Sequence, residues 1–465
     1  MKTDIFPIER DQELLKARRY WYILAALLFL VSIVLRLPLV FLASLFVCVV
    51  GMVPDLWYRH ALRRLVVRQQ VDRRQVFFGE DIILSISIEN RKLLPLPWLT
   101  VENKITPPLA VLSRQAVRLQ KTAQDTLLST WLLWSFQRVT RRYRMRCDTR
   151  GLHLFGPVRL KSSDPFGWLE TEVKLPAAQA LLVYPLLAPL ETLGLSSVHP
   201  FGEYASERRL LEDPLRTVGV RDYLPGDDPR RIHWKASAHA GALRSKLYEP
   251  GSTRRLLLLL DAWNYTEESK GIDTELQELT ITTAASLAVW ALEEGYQVGL
   301  LANCSLMLSP LEELAQDVVP QDAQQAAKLL TTEISTPVVR VPFSLDADQQ
   351  ERLLSTLARL LPSYNSVIER VIETEESMFP LGTTVVLISA ASTLNDATVE
   401  RLLDLRVRGA AIHLVLTGDA EHELVVETYD LSLHYSGGKE KWRELVATIE
   451  RAGSNGISAT SLQLD

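Results

Sequence analysis

Cysteine is scarce in this 465-residue chain: Cys48, Cys147 and Cys304 stand far apart, with no C-x-x-C spacing. That excludes a disulfide framework and a sequence-local zinc site, and points to a reducing compartment for the bulk of the chain. Excess positive charge is lacking too. A net charge of −5 and a pI near 6.0 argue against a nucleic-acid protein, leaving room only for local basic patches. Neither G-x-x-x-x-G-K-[ST] nor G-x-G-x-x-G occurs, so the common nucleotide cradles are missing, and so is the G-x-S-x-G nucleophile motif. There is no internal repeat and no low-complexity segment. What remains is a chain 47% hydrophobic and 23% charged, long enough for two or three domains.

Long apolar runs are present only near the N-terminus. YWYILAALLFLVSIVL (Tyr20 to Leu35) and LVFLASLFVCVVGMV (Leu39 to Val53) flank Arg36-Leu37-Pro38. Each is a little short of the roughly 20 residues a bilayer requires, and Trp21, Pro38, Trp57 and Tyr58 are placed to extend the spans at the interfaces. Neither run has a polar face, which disfavours a helical pair buried in a soluble protein. Asp4, Glu9, Asp11 and Glu13 disfavour a cleaved signal peptide. Lys16, Arg18 and Arg19 precede the first run and Arg59, Arg63, Arg64 and Arg68 follow the second, against Arg36 alone between them. The expectation is a multi-pass protein of the cell membrane with both termini cytoplasmic.

The expected organisation is multi-domain: a cytoplasmic N-terminus (1–19), a transmembrane helical hairpin (20–57), a β-sandwich-like domain (65–185), a connecting segment (186–254), a doubly wound α/β domain (255–452) and a loose tail (453–465). GEDIILSISIEN sets Ile82, Leu84, Ile86 and Ile88 on one face and Ile83, Ser85, Ser87 and Glu89 on the other, the period of a half-buried strand. Further strand-like pieces follow to Val173, the last broken at Gly156-Pro157 and at Asp164-Pro165-Phe166-Gly167, at a spacing that suits a small sandwich. From LLLLLDAW (Leu256 to Trp263) onward, apolar strands alternate with amphipathic helices, including AQQAAKLLTTEI and DADQQERLLSTLARLL, as in a mostly parallel sheet.

In such a sheet ligands favour the carboxyl ends of the strands, which singles out Asp261. This pattern resembles a von Willebrand factor A fold, whose metal site uses Asp-x-Ser-x-Ser on that loop. Here Trp263 and Tyr265 replace both serines and ISAAS at Ile388 lacks an aspartate, so the site is degenerate and the better reading has Asp261 capping a helix or bonding its own loop.

The densest charge lies in DYLPGDDPRRIHWKASAHAGALRSKLYEP (Asp222 to Pro250). Leu224-Pro225-Gly226-Asp227 reads as a type II turn, Asp228-Pro229 as N-cap and first helical residue, and PRRIHWKASAHA as one short helix ended by Gly241. On that helix Arg231, Trp234 and Lys235 share a side, with Arg230 and His233 adjoining. Three readings stay open. His233 and His239 with Asp222, Asp227 and Asp228 could serve a metal-dependent hydrolase; the arginines, Trp234 and Lys235 could dock an acidic partner; or the charges pair internally with Trp234 buried as a wedge.

At these residues the chain resembles the DUF58 family of bacteria and archaea, in which an arginine, an aromatic, Pro-Gly-Asp, Pro-Arg, Ile-His/Asn-Trp-Lys and a later Lys-x-x-Glu recur in order. Asp164 to Gly167 and Val183 to Pro185 fit the same resemblance. It implies a membrane-anchored, non-catalytic adaptor with no cofactor, partnered by a MoxR-type AAA+ ATPase, often with a transglutaminase-like membrane protein encoded beside them, in protein maturation or envelope processes. Arg221, Asp227, Arg230, Arg231, His233, Trp234, Lys235 and Lys246 are its candidate partner-binding residues.

Overall fold

The computed structural model describes residues 19–107, 109–112, 117–121, 124–164, 166–167, 170–175, 178–196, 212–224, 228–250, 254–264, 272–308, 333–335, 338–362, 367–418 and 431–454. Pro225, Gly226, Asp227 and Tyr265 lie outside them, as do residues 1–18, most of the expected AQQAAKLLTTEI helix and residues 455–465. The chain divides into two units, Met1–Tyr184 with Met307–Ile334, and Pro185–Leu306 with Ser335–Asp465.

The first unit begins with two helices, α1 (Arg19–Leu35) and α2 (Pro38–His60), which run antiparallel. The Tyr22 hydroxyl donates to Asp55 at 2.7 Å, and the Phe29 and Phe41 rings lie 6.0 Å apart. Gly51 permits this approach, since a Cβ there would sit 3.3 Å from Trp21. Among the described residues α2 is the one helix long and apolar enough to cross a membrane; α1 is shorter. Trp57 corrects its sequence assignment: it is not an interfacial side chain but packs, with Ala61 and Leu62, into the core of the strands that follow.

Those strands are β1 (Leu65–Val71), β2 (Gln75–Phe77), β3 (Asp81–Asn90), β4 (Leu96–Thr106), β5 (Ala110–Val111), β6 (Val117–Lys121), β7 (Gln124–Leu133), β8 (Arg138–Arg146), β9 (Gly151–Ser163), β10 (Glu170–Leu175) and β11 (Gln179–Tyr184). They form two sheets, β1-β3-β8-β5 and β2-β11-β9-β4-β7-β6, with β10 on β9. The alternation in β3 decides its orientation: Ile82, Leu84, Ile86 and Ile88 are fully buried, whereas Ile83 faces outward. Leu99, Val101, Trp131 and Val158 of the second sheet close the same core. Gly156-Pro157 does not break β9 as the sequence suggests. Phe155 pairs with Ile105 and Val158 with Asn103, so the two residues are accommodated as a bulge within a continuous strand. The second expected break is real: Asp164 accepts from the backbone N–H of Phe166 and Gly167 and turns the chain between β9 and β10.

The second unit holds a two-stranded ribbon, β12 (Glu212–Asp222) and β13 (Arg244–Pro250), bridged by a short helix α3 (Trp234–Ala240). It continues through β14 (Arg255–Leu260), α4 (Thr274–Glu293), β15 (Gln297–Ala302), β16 (Cys304–Leu308), β17 (Glu333–Ile334, in the first unit), β18 (Val339–Ser344), α5 (Gln349–Ala358), β19 (Leu360–Pro362), α6 (Ile368–Thr374), β20 (Thr384–Ala390), α7 (Asp396–Val407), β21 (Ala411–Thr417), β22 (Ser432–Gly437) and α8 (Lys439–Ser454). Leu360 to Pro362 depart from expectation, pairing with Cys304 to Leu306 rather than extending the preceding helix. The proline ring, with no N–H to give, ends helical continuation there.

The main sheet has the order β18-β15-β14-β20-β21-β22 and is parallel except at the β18 edge. Leu256 to Leu260 are fully buried, as a strand covered on both faces requires. Leu257, Leu259, Leu387 and Leu414 pack with α6 and α7 on one face, and α4 packs across β14, β15, β20 and β21 with α5 and α8 against it. From β14 the chain steps to β15 on one side and returns to β20 on the other, which makes the β14/β20 boundary a topological switch point.

Candidate functional site

The ribbon is antiparallel, with Val220 opposite Lys246, Arg221 opposite Ser245 and Asp222 opposite Arg244. Arg244 and Asp222 also form an ion pair at 3.2 Å. After β12, Asp228 caps the next turn as its sequence context requires, its carboxylate accepting from the Arg230 N–H at 2.9 Å with Pro229 at the first position. The expected single helix, however, is two pieces. A 3₁₀ turn, Pro229–Arg231, stops at Ile232, which adopts extended backbone and forms a β-bridge to Ser245. The helix α3 then restarts at Trp234, with the His233 ring as its N-cap: Nδ1 accepts from the Ala236 N–H at 3.1 Å. The shared face of Arg231, Trp234 and Lys235 expected on one helix is therefore interrupted.

What braces this element is small and apolar or hydroxylic. Ile232 and Ser245 are buried, the His233 N–H donates to the Arg244 carbonyl at 2.8 Å, and the Ser237 hydroxyl donates to the His233 carbonyl at 3.0 Å while accepting from the Arg244 N–H at 2.9 Å. Gly241, at φ +64°, ends α3 in the left-handed region that glycine accepts without strain. Trp234 is not the buried wedge; it is 68% exposed. Arg230, Lys235 and His239 are exposed too, Arg221, Arg231 and Lys246 are half-buried, and Leu224 and Leu243 add exposed apolar surface at the ribbon end. The structure thus brings Arg221, Arg230, Arg231, His233, Trp234, Lys235 and Lys246 into one element; Asp227 lies outside the described residues.

Asp261 occupies the switch point. Its Oδ1 accepts from the Asn303 side-chain amide at 2.6 Å and from the Trp263 N–H at 3.2 Å; its Oδ2 accepts from the Ser389 hydroxyl at 3.0 Å and the Thr393 hydroxyl at 3.4 Å. Asn303 also accepts from the Ala262 N–H at 2.8 Å, pinning the loop. The carboxyl is fully buried, and burial raises its pKa above the ordinary range against the pull of these donors. Helix capping falls to another residue: Asp273 accepts from the N–H groups of Glu275 and Leu276 at the start of α4. Among the described residues no three His, Cys, Asp or Glu side chains converge as a metal centre would require. Sequence reading found Asp261 but missed Asn303, Ser389 and Thr393; their only local signal is a polar residue at or just past the end of an apolar strand.

Both places carry the comparison with known proteins. Residues 219–334, from the ribbon to β17, match the family model described as a protein of unknown function, DUF58. The chain matches DUF58 over this segment. The DUF58 match includes Asp261 and Asn303 but stops short of Ser389 and Thr393. An uncharacterized protein, YeaD of Bacillus subtilis (strain 168), is 24% identical over 249 residues; the aligned part is 52% of this chain and covers 56% of that relative's length. Among solved structures, the CARDB domain of a Pyrococcus furiosus protein in complex with di-metal ions is 13% identical, covering 26% of this chain and 91% of that one at a TM-score of 0.18. A cohesin module from Clostridium perfringens is 8% identical, covering 25% and 96% at a TM-score of 0.19. Likenesses this slight carry no argument.

Proposed function

We propose that the protein is a membrane-anchored, non-catalytic adaptor whose DUF58 ribbon and turn-helix dock an acidic protein partner. The observation that carries this reading is the division of labour in that element: Ile232, His233, Ser237 and Ser245 hold it together, while Trp234 is exposed to solvent in the same short segment as exposed Arg230 and Lys235. An exposed tryptophan flanked by cations on a rigid turn is the composition of an interface hot spot. By the family resemblance the proposed partner is a MoxR-type AAA+ ATPase, with a transglutaminase-like membrane protein as third component, in protein maturation or envelope processes. The α/β sheet, with an aspartate at its switch point, supports a von Willebrand factor A-like domain whose metal site has been converted to an internal hydrogen-bond network. The anchor is α1 with α2, crossing the cell membrane as a hairpin with both ends cytoplasmic; the antiparallel contact of the two apolar helices supports it. The metal-dependent hydrolase would need its histidines and aspartates to converge, and among the described residues no three His, Cys, Asp or Glu side chains do so.

The test is capture of the ATPase by the detergent-solubilised full-length chain, with and without ATP, comparing wild type with Trp234→Ala and with Arg230→Glu/Lys235→Glu. Loss of about 2 kcal/mol at a hot spot weakens binding by roughly 30-fold. Undiminished capture by both folded variants would remove the ribbon as the docking surface.

A further inference from the structure

One end of the β-sandwich carries large apolar side chains where loops are ordinarily polar. Leu93, in the β3–β4 turn, is 79% exposed; Trp134 and Phe136, in the β7–β8 turn, are 62% and 69% exposed; Trp98 and Leu132 stand exposed beside them. A scatter of single exposed hydrophobics needs no explanation, but three large ones on two hydrogen-bonded turns, with two more on the strands that lead into them, gather apolar surface at one end of the sandwich. These turns are one rigid tip. The buried Asn90 side chain donates to the carbonyls of Leu94 (2.9 Å) and Trp134 (3.0 Å), the Asn90 N–H donates to the Gln137 carbonyl at 2.8 Å, and the Ser135 hydroxyl bonds the Leu93 carbonyl. Phe136 sits at φ +54°, a left-handed conformation that costs a bulky residue on the order of 1 kcal/mol or more and projects its ring from the turn.

The tip is fastened to the end of α2. The Arg91 N–H donates to the Arg64 carbonyl at 3.1 Å and the Lys92 ammonium to the Arg63 carbonyl at 3.0 Å, while Trp57, Ala61 and Leu62 enter the sandwich core. The apolar turns therefore lie where the candidate span ends, beside exposed Arg59, Arg63 and Arg64. Tryptophan and phenylalanine gain most at the level of lipid headgroups, and arginines there meet anionic lipid.

We propose that Leu93, Trp98, Leu132, Trp134 and Phe136 form a foot that inserts into the lipid interface next to α2, so that the sandwich rests on the membrane rather than hanging from it. The inference depends on α2 crossing the membrane. Its continuity with the end of that helix is what selects lipid over another protein as the occupant.

The experiment uses the full-length chain in vesicles of phosphatidylcholine with a minor share of phosphatidylglycerol, labelled with an environment-sensitive fluorophore and read with and without doxyl lipid. Cys48 in α2 reports the span; Phe136→Cys and Leu93→Cys in a Cys48→Ala background report the foot. Arg73→Cys in that background reports the far end of β1, about 20 Å away. The inference expects blue-shifted emission and loss of signal to doxyl lipid at Cys48, Phe136→Cys and Leu93→Cys, with Arg73→Cys unchanged. Quenching at Cys48 with none at the two foot positions overturns the foot and leaves the span standing. No quenching at Cys48 overturns both. A blue shift at the foot without quenching places a protein surface there and overturns the lipid assignment.

Discussion

Replacing Asp261 tests whether the switch point is a closed network or a site that needs charge. Asp261→Ala removes the carboxylate that accepts from the buried Asn303 amide and from the part-buried Trp263 N–H. A buried donor that loses its acceptor costs about 1–3 kcal/mol. Ser389 and Thr393 lose less, because their hydroxyls are 3.0 Å apart and have the Ala390 carbonyl as an alternative acceptor. The expected loss is about 2–5 kcal/mol, which lowers the melting point of a unit this size by roughly 5–15 °C. Asp261→Asn is expected to behave differently. Its carbonyl oxygen can still accept from Asn303 and Trp263, and its amide meets two hydroxyls able to accept, so destabilisation should stay below about 1 kcal/mol. The sign of the pH dependence follows from the raised pKa. The contribution of Asp261 is fully present below the ordinary carboxylate range and declines as pH rises through the higher folded value, so the asparagine variant should gain on wild type from acid toward neutral pH. Differential scanning calorimetry of the three proteins across pH, with and without Mg²⁺, reads all of this. If Asp261→Asn is as damaging as alanine at neutral pH, or if Mg²⁺ stabilises wild type but not the asparagine variant, the carboxylate acts as a ligand and the closed-network reasoning fails.

Burial pushes His413 down from 6.5 to about 4, with His434 adding to the depression. The unfolded chain takes up the proton first, so as pH falls from about 6.5 to 4 the fold loses up to about 3 kcal/mol, at roughly 1.4 kcal/mol per pH unit. His413→Gln should flatten that part of the denaturation profile, and an unchanged acid limb would refute the assignment. Trp234→Ala should leave the melting point within the shift expected of about 0.5 kcal/mol, because most of the residue already faces solvent. Ser237→Ala removes the hydroxyl that joins His233 to Arg244 and should cost about 1 kcal/mol, seen as faster amide exchange across the ribbon; no change would mean that the ribbon alone holds the turn.

Local patterning determined much of this protein. The alternation of Ile82 to Ile88 placed β3 and its inward face, the leucines from Leu256 to Leu260 announced a strand buried on both sides, and Asp228-Pro229 and Gly241 marked where a helical segment begins and ends. Each signal resides in neighbours along the chain, where side-chain period and backbone preference are read directly. Tertiary structure decided the rest. Helical propensity runs through Arg231, Ile232 and His233, yet the bridge from Ile232 to Ser245 breaks the helix, because burying an isoleucine against β13 outweighs one more turn. Trp57 reads as an interfacial residue until the fold buries it in the core of the sandwich. Asp261 reads as a degenerate ligand until strand order brings it Asn303, 42 residues on, and Ser389, 128 residues on. Those partners are set by which strands lie side by side, and a periodicity of two or of 3.6 residues carries no record of that choice.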